Sequence, residues 1–292
     1  MKLGFIGLGA MGRPMALNLM QHGHEMAVHG RRAASVQPLV AAGARACASP
    51  REVAEHADVI FTMVTTSHDV EAVVLGTDGV AAGARQGSIV VDMETISPDV
   101  ARRVAVRLAD RGVDMLDAPV SGGPGGAVSA TLSIMVGGKA AVLERVRPLL
   151  DCLGKTIVHV GDSGAGQTAK ACNQLALLIA AEGVAEALNL ARASGIDPAK
   201  VRDVMMGGLA ASRVLDLFGR RMVDRDFTAG IEARLYHKDL GIALDLADGL
   251  GQALPTGAVV MQHVNAMVER GDGANDLSAI IRVIESMSTR AE

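Results

Sequence analysis

Two stretches of this sequence hold residues that could move a proton and grip an anion. The first is Gly164-Ala165-Gly166-Gln167-Thr168-Ala169-Lys170-Ala171-Cys172-Asn173-Gln174. On a helix, Lys170 and Asn173 stand at i, i+3 and Lys170 and Gln174 at i, i+4, so all three share one face. Lys170 has apolar company in Ala169, Ala171 and Leu175. A lysine drawn out of water loses some preference for its charged form and becomes a usable acid–base group near neutral pH. The same pattern fits a surface lysine whose stem snorkels over apolar neighbours, and spacing alone favours that plainer reading. The second stretch is Asp117-Ala118-Pro119-Val120-Ser121-Gly122-Gly123. Consecutive glycines after Ser121 leave backbone N–H groups free to form a nest for a small carboxylate. An ordinary glycine loop reads the same way.

A third motif is Gly7-Leu8-Gly9-Ala10-Met11-Gly12, a G-x-G-x-x-G pattern. It follows a strand-like run, 2–6, and opens a helix-like run from Met11 to His22. That context is what the dinucleotide fingerprint requires. The first glycine allows the tight turn, the second lets the backbone approach a pyrophosphate, and the third lets helix and strand pack closely. The helix N-terminus adds partial positive charge. An NAD site places a carboxylate at the end of the second strand to hold the ribose 2′-OH. Here that zone reads His29-Gly30-Arg31-Arg32. Two guanidiniums suit a 2′-phosphate, so the sequence predicts NADP(H) over NAD(H). Two solvated arginines at a helix start are the plainer alternative.

The elements that must position these motifs can be read along the chain. Strands are expected at 2–6, 25–29, 59–63, 88–92, 114–117, 133–136 and 156–160, each short, apolar or β-branched, and bounded by turn formers. Ser49-Pro50-Arg51-Glu52 carries a capping box with Pro at N1, and Ser97-Pro98 repeats the cap-then-Pro signal. Strands alternating with helices predict an α/β, Rossmann-type, doubly wound sheet over residues 1–162. From Ser163 onward the periodicity is helical. Ser163 is expected to cap a long helix reaching Ala193, Asp197-Pro198 to start the next and Pro255 another. Residues 163–292 are therefore expected to form an all-helical second domain.

Composition sets the outer bounds. The 292 residues are 49% hydrophobic and 21% charged, with a net charge of −4, enough for a sizeable core and a poor match to nucleic acid. One Tyr, four Phe and no Trp leave little for base stacking. Cys47, Cys152 and Cys172 are scattered and show no C-x-x-C, which fits a reducing cytoplasm. No segment has ~20 consecutive apolar residues, so no membrane span is expected. The eight histidines form no H-E-x-x-H pattern, and no metal centre is expected.

Taken together, four motifs closely resemble the β-hydroxyacid dehydrogenase family, the group that includes 3-hydroxyisobutyrate dehydrogenase. They are GLGAMGRPMALNL from Gly7, DAPVSGG from Asp117, GAGQTAKACNQ from Gly164, and Lys238-Asp239-Leu240 after Tyr236-His237. The resemblance covers essentially the whole chain. It implies that Lys170 is the catalytic acid–base, that Ser121, Gly122 and Gly123 bind the substrate carboxylate, and that Asn173 holds the substrate and orients the lysine. It implies that Lys238 lines the cofactor and substrate cleft, that Thr95 meets the nicotinamide side, and that Val64 and Thr65 meet the adenosine side. Within the family, Asn173-Gln174, Gly207-Gly208-Leu209-Ala210 and Met222–Phe227 look most like the branch that reduces tartronate semialdehyde (2-hydroxy-3-oxopropionate) to glycerate. Another 3-hydroxy acid, such as 3-hydroxyisobutyrate, is the alternative substrate. An imine reductase or a non-catalytic nucleotide sensor usually lacks the lysine. The resemblance also assigns substrate binding and oligomerisation to the helical domain, 163–292, and implies that this C-terminal domain is 6-phosphogluconate dehydrogenase-like and that the protein is a homodimer or homotetramer. Two positions depart from the family. Glu94 stands where Ser or another small polar residue is usual, and would repel an acid substrate if it pointed inward. Ala130 stands where Gly is usual, and predicts a modest local change of backbone.

Overall fold

The computed structural model describes residues 1–287. The chain divides into two compact units, Met1–Lys170 and Ala171–Glu292. The first is a doubly wound α/β unit. Its order is β1 (Lys2–Ile6), α1 (Gly12–Gln21), β2 (Glu25–His29), α2 (Ala33–Ala41), β3 (Arg45–Ala46), α3 (Pro50–Glu55), β4 (Val59–Thr62), α4 (Ser67–Leu75), α5 (Val80–Gly83), β5 (Ile89–Asp92), α6 (Pro98–Ala109), β6 (Asp114–Asp117), β7 (Val120–Ser121), α7 (Gly123–Val128), β8 (Leu132–Gly137), α8 (Ala140–Leu150) and β9 (Gly154–Gly161). The long α9 (Ala165–Ala193) follows, with its first turn in this unit.

The strands form one sheet in the order β3-β2-β1-β4-β5-β6-β8-β7, with β9 beside β8. Strands β1 to β6 pair in parallel, β8 runs antiparallel to β6 and β7, and β9 is parallel to β8. The order reverses between β1 and β4, and that switch point is where open sheets of this kind take ligands. The central strands are buried on both faces, which is why β4 and β5 read as apolar runs rather than alternating ones. Successive residues still alternate between two cores. Leu3, Phe5, Phe61 and Val91 pack on one face, while Ile60 and Val90 pack on the other. Phe5 and Phe61 stack at 5.8 Å between ring centroids, each adding about 1.5–3 kcal/mol by burial.

The expected strands are present to within a residue or two at each end. Two two-residue strands, β3 and β7, have no periodicity to read. The helix signals hold unevenly. Ser49 Oγ accepts the Glu52 amide at 3.2 Å, but the Glu52 carboxylate takes the Ala48 amide rather than that of Ser49. The complete capping box belongs to Thr66 and Asp69, on α4. Pro98 opens α6 as expected, yet the Ser97 side chain makes no cap, and its amide instead donates to Ser67 Oγ. Helix α9 begins at Ala165, not directly after Ser163, because Gly164 intervenes with φ +89°.

The second unit is helical among the described residues, apart from a single bridge between Glu232 and Asp276. After α9 come α10 (Pro198–Met206), a π-helical turn (Leu215–Gly219), α11 (Arg220–Asp224), α12 (Ala233–Gly249), α13 (Pro255–Glu269) and α14 (Ile281–Met287). Asp197 caps α10 through the Ala199 amide, and Pro255 opens α13. Helix α9 is long and apolar enough to cross a membrane by length and composition alone. Its apolarity has a second account, since Leu178, Ala181, Val184, Ala185 and Leu188 lie in this unit's core with Leu215, Leu240 and Val264.

Candidate active site

The fingerprint glycines divide by what each needs. Gly7 has φ +94°, and a Cβ there would lie 2.3 Å from the Met63 carbonyl oxygen. A Cβ on Gly12 would lie 1.9 Å from the Gly7 carbonyl oxygen. Both glycines are therefore demanded by the fold. A Cβ on Gly9 would meet nothing within 4 Å. Gly9 and Ala10 are exposed, Leu8 is buried, and Met11 at the N-cap of α1 makes no side-chain cap. The start of α1 thus presents uncapped amides beside open space that only a glycine leaves clear. This is the cradle a pyrophosphate requires, and the residues present fit a dinucleotide.

The ends of the neighbouring strands supply the other expected contacts. Arg31 and Arg32 follow β2, and both are exposed. Arg31 approaches Asp69 at 3.9 Å with its side chain 84% exposed, an ion pair of little strength. The Arg32 carbonyl accepts Ser35 Oγ, so its backbone opens α2. Val64 and Thr65 follow β4 and are half-buried, directly before the Thr66 cap. Thr95 lies in the loop after β5 and is buried. Its amide donates to Glu94 Oε1 at 2.9 Å, so this Glu94 oxygen is turned onto its own loop.

Ser121 closes β7, and Gly122 and Gly123 take φ +133° and +61° at the start of the short α7. Ala130 adopts φ +53°. This is a left-handed conformation that suits glycine, and the alanine bears the strain.

Lys170 is buried, 6% exposed, at the end of the first unit. Two residues that lie within the sequence motifs, with no role assigned to them there, hold its helix. Asp117, at the end of β6, accepts the Gly164 amide at 2.7 Å and the Gln167 amide at 3.0 Å. These amides at the helix start have no acceptor within the helix. Burial pushes the Asp117 carboxyl above its ordinary range, while those amides pull the other way. Gln167 is fully buried and bonds the loop beside Thr95, accepting the Ile96 amide and donating to the Glu94 carbonyl. The contact is close enough to require glycine. A Cβ on Gly137 would lie 2.7 Å from the Gly166 nitrogen, and one on Gly166 would lie 2.5 Å from the Met135 and Asp117 carbonyl oxygens.

Asn173, Gln174 and Lys238 belong to the helical unit. Asn173 Nδ2 donates to Gln174 Oε1 at 2.9 Å, and the buried Gln174 donates to Asp239 Oδ2 at 2.6 Å. Lys238 Nζ lies 3.2 Å from the other Asp239 oxygen. Asp239 therefore joins Lys238 to Gln174, and through Gln174 to Asn173, residues far apart in sequence. The Lys-Asp-Leu spelling was its only sequence signal.

One group of metal-type donors does come together. Single donor atoms of Cys47, Glu52 and His56 lie within 4.8 Å of one another. Glu52 is already engaged by the Ala48 amide and lies 3.7 Å from Arg45, and His56 Nδ1 bonds the Glu52 carbonyl. Capping of α3 accounts for this arrangement.

Comparison with known proteins agrees with both halves. Residues 2–161 match the NAD binding domain of 6-phosphogluconate dehydrogenase, and residues 164–284 match the NAD-binding region of NADP-dependent 3-hydroxyisobutyrate dehydrogenase. The chain is 44% identical to 2-hydroxy-3-oxopropionate reductase of Escherichia coli, over 99% of this chain and 98% of that one. It is 36% identical to the NAD-dependent L-serine dehydrogenase of Pseudomonas aeruginosa, over 97% and 98%. A solved structure described as Psf3 in complex with NADP+ and 2-OPP superimposes with a TM-score of 0.89 at 27% identity, covering 97% of this chain and 99% of that one.

Proposed function

The chain belongs to the β-hydroxyacid dehydrogenase family and is a nicotinamide-dependent oxidoreductase, and we propose that it interconverts a small semialdehyde acid and its β-hydroxy acid with NADP(H). The favoured pair is 2-hydroxy-3-oxopropionate and glycerate. The observation that carries the reaction is the buried lysine, Lys170, on a helix start anchored to the ends of β5 and β6. Bound nicotinamide supplies or accepts the hydride. Lys170 gives its Nζ proton to the carbonyl oxygen on reduction and takes it back on oxidation. Ser121, Gly122 and Gly123 receive the carboxylate, with Asn173 and Lys238 as further contacts. The substrate assignment leans on the 44% identical reductase. The cofactor assignment leans on Arg31 and Arg32, exposed where an NAD site would carry a carboxylate.

The test is oxidation of NADPH, with NADH in parallel, against 2-hydroxy-3-oxopropionate, methylmalonate semialdehyde, succinate semialdehyde, glyoxylate and a cyclic imine. Fast turnover of 2-hydroxy-3-oxopropionate with NADPH is expected. Preference for another semialdehyde acid would replace the substrate and keep the reaction, and turnover of the imine alone would overturn it. Lys170→Ala is expected to lose about 10²–10⁴-fold in kcat while still binding NADPH.

A further inference from the structure

Gln167 is not among the residues to which the reaction reading gives a role, yet its side chain is held at both polar ends. It is fully buried, and both ends of its amide are used. Oε1 accepts the Ile96 amide at 3.0 Å and Nε2 donates to the Glu94 carbonyl at 2.7 Å. The orientation of the amide is forced, because a backbone N–H needs an acceptor and a backbone carbonyl needs a donor. These two bonds bracket Thr95 on either side, as a neighbouring strand would. Gln167's own backbone amide is held by Asp117 Oδ2 at 3.0 Å. Three bonds from one residue thus fix the first turn of α9 against the loops after β5 and β6. Lys170 stands three residues on, one turn along the same helix face.

We propose that Gln167 is a positioning residue that sets Lys170 and Thr95 at a fixed separation, so that the proton donor and the nicotinamide-side loop keep register during turnover. This rests on the reading of Lys170 as the acid–base. A misplacement of about 1 Å is enough to cost about 10²-fold in rate, and no other side chain of this length offers a donor and an acceptor together at neutral pH. Glutamate does so only when protonated, its O–H donating to the Glu94 carbonyl and its C=O accepting the Ile96 amide. Ionised, it sets a carboxylate against that carbonyl.

The test uses the full chain with Gln167→Met, which fills the space without either bond, and Gln167→Glu. Both are compared with the unaltered protein by kcat, KM, NADPH binding and thermal melting. Gln167→Met is expected to lose about 10- to 100-fold in kcat, with NADPH affinity and substrate KM within threefold. Gln167→Glu is expected to be similarly slow at pH 8 and to recover at least fivefold, relative to the unaltered protein, as pH falls to 5.5. A side chain that merely fills space would give no such recovery. Unchanged kcat in Gln167→Met, a flat ratio in Gln167→Glu, or loss of cooperative melting in both variants would each overturn the proposal. Lys170→Ala is measured alongside. If it turns over normally, the reading of the reaction fails; if it is inactive and Gln167→Met is normal, only the brace fails.

Discussion

Gly7 and Gly12 meet so closely that a Cβ on Gly12 would sit 1.9 Å from the Gly7 carbonyl oxygen, whereas Gly9, between them in sequence, faces open space. The same substitution should therefore act differently at two positions of one motif. Gly7→Ala combines a positive φ with a 2.3 Å approach to backbone and should cost about 3 kcal/mol or more. Gly9→Ala should leave the melting temperature within about 1 °C and weaken NADPH binding at least tenfold, because its methyl group occupies ligand space. Calorimetry and fluorescence titration read the two effects separately. Equal loss of stability in both would contradict the division.

Arg31 is almost wholly in water and loosely paired with Asp69, so replacing it costs the fold little. A guanidinium on a 2′-phosphate is a charge-assisted contact worth about 1.5–3 kcal/mol. Arg31→Asp should shift the NADPH-to-NADH preference by at least tenfold toward NADH, measured as the ratio of kcat/KM values. An unchanged ratio sinks the 2′-phosphate role.

Glu182 is a buried acid of the helical unit. It is paired with His263 at 2.6 Å through one oxygen, and the other has no hydrogen-bond partner among the described residues. Burial raises its carboxyl above the ordinary value, assisted by Glu186 and opposed by His263. A raised folded value means that the folded state holds the proton more tightly than the unfolded chain. The stability this contributes is complete below about pH 4.3, the ordinary glutamate value, and is lost as pH rises through the raised one. Glu182→Gln should therefore melt higher than the unaltered protein at pH 8, with the gap closing toward pH 4. A variant less stable at every pH would contradict this.

Ala130 holds a left-handed backbone at φ +53°, a conformation that costs an L-residue about 1–2 kcal/mol. Glycine removes that cost but adds unfolded-state entropy. Ala130→Gly should gain about 0.5–1 kcal/mol and raise the melting temperature by about 1–3 °C, with kcat unchanged. A fall in the melting temperature would show that the alanine methyl contributes packing beyond its strain.

The fingerprint, the strands and the caps at Ser49 and Asp197 were legible because their signals are local. Alternation, cap spacing and glycine placement all act within a few residues. The brace was not, because Asp117 reaches partners 47 and 50 positions away and Gln167 reaches 71 and 73. No period or cap rule connects such positions. The Ser97 signal failed for a related reason. Its hydroxyl caps no amide of α6, and the Ser97 amide is held by Ser67 Oγ, 30 positions away. Lys170 looked more like a surface residue until packing buried it. Asp239 was spelled within a motif, but only tertiary contact shows that it joins Gln174 to Lys238.

The facing glycines Gly137 and Gly166 bear on how this protein tolerates change. At that crossing the neighbours are backbone and the Asp117 carboxylate, which itself holds the Gly164 and Gln167 amides, so trimming the one side chain present would break the contact it was meant to relieve. Any enlargement there must lift the start of α9 off the sheet and carry Lys170 with it. Random mutagenesis scored for turnover should therefore find intolerant sites that touch no ligand. A residue-by-residue map of tolerance would trace a bearing surface beneath the lysine as sharply as the lysine itself.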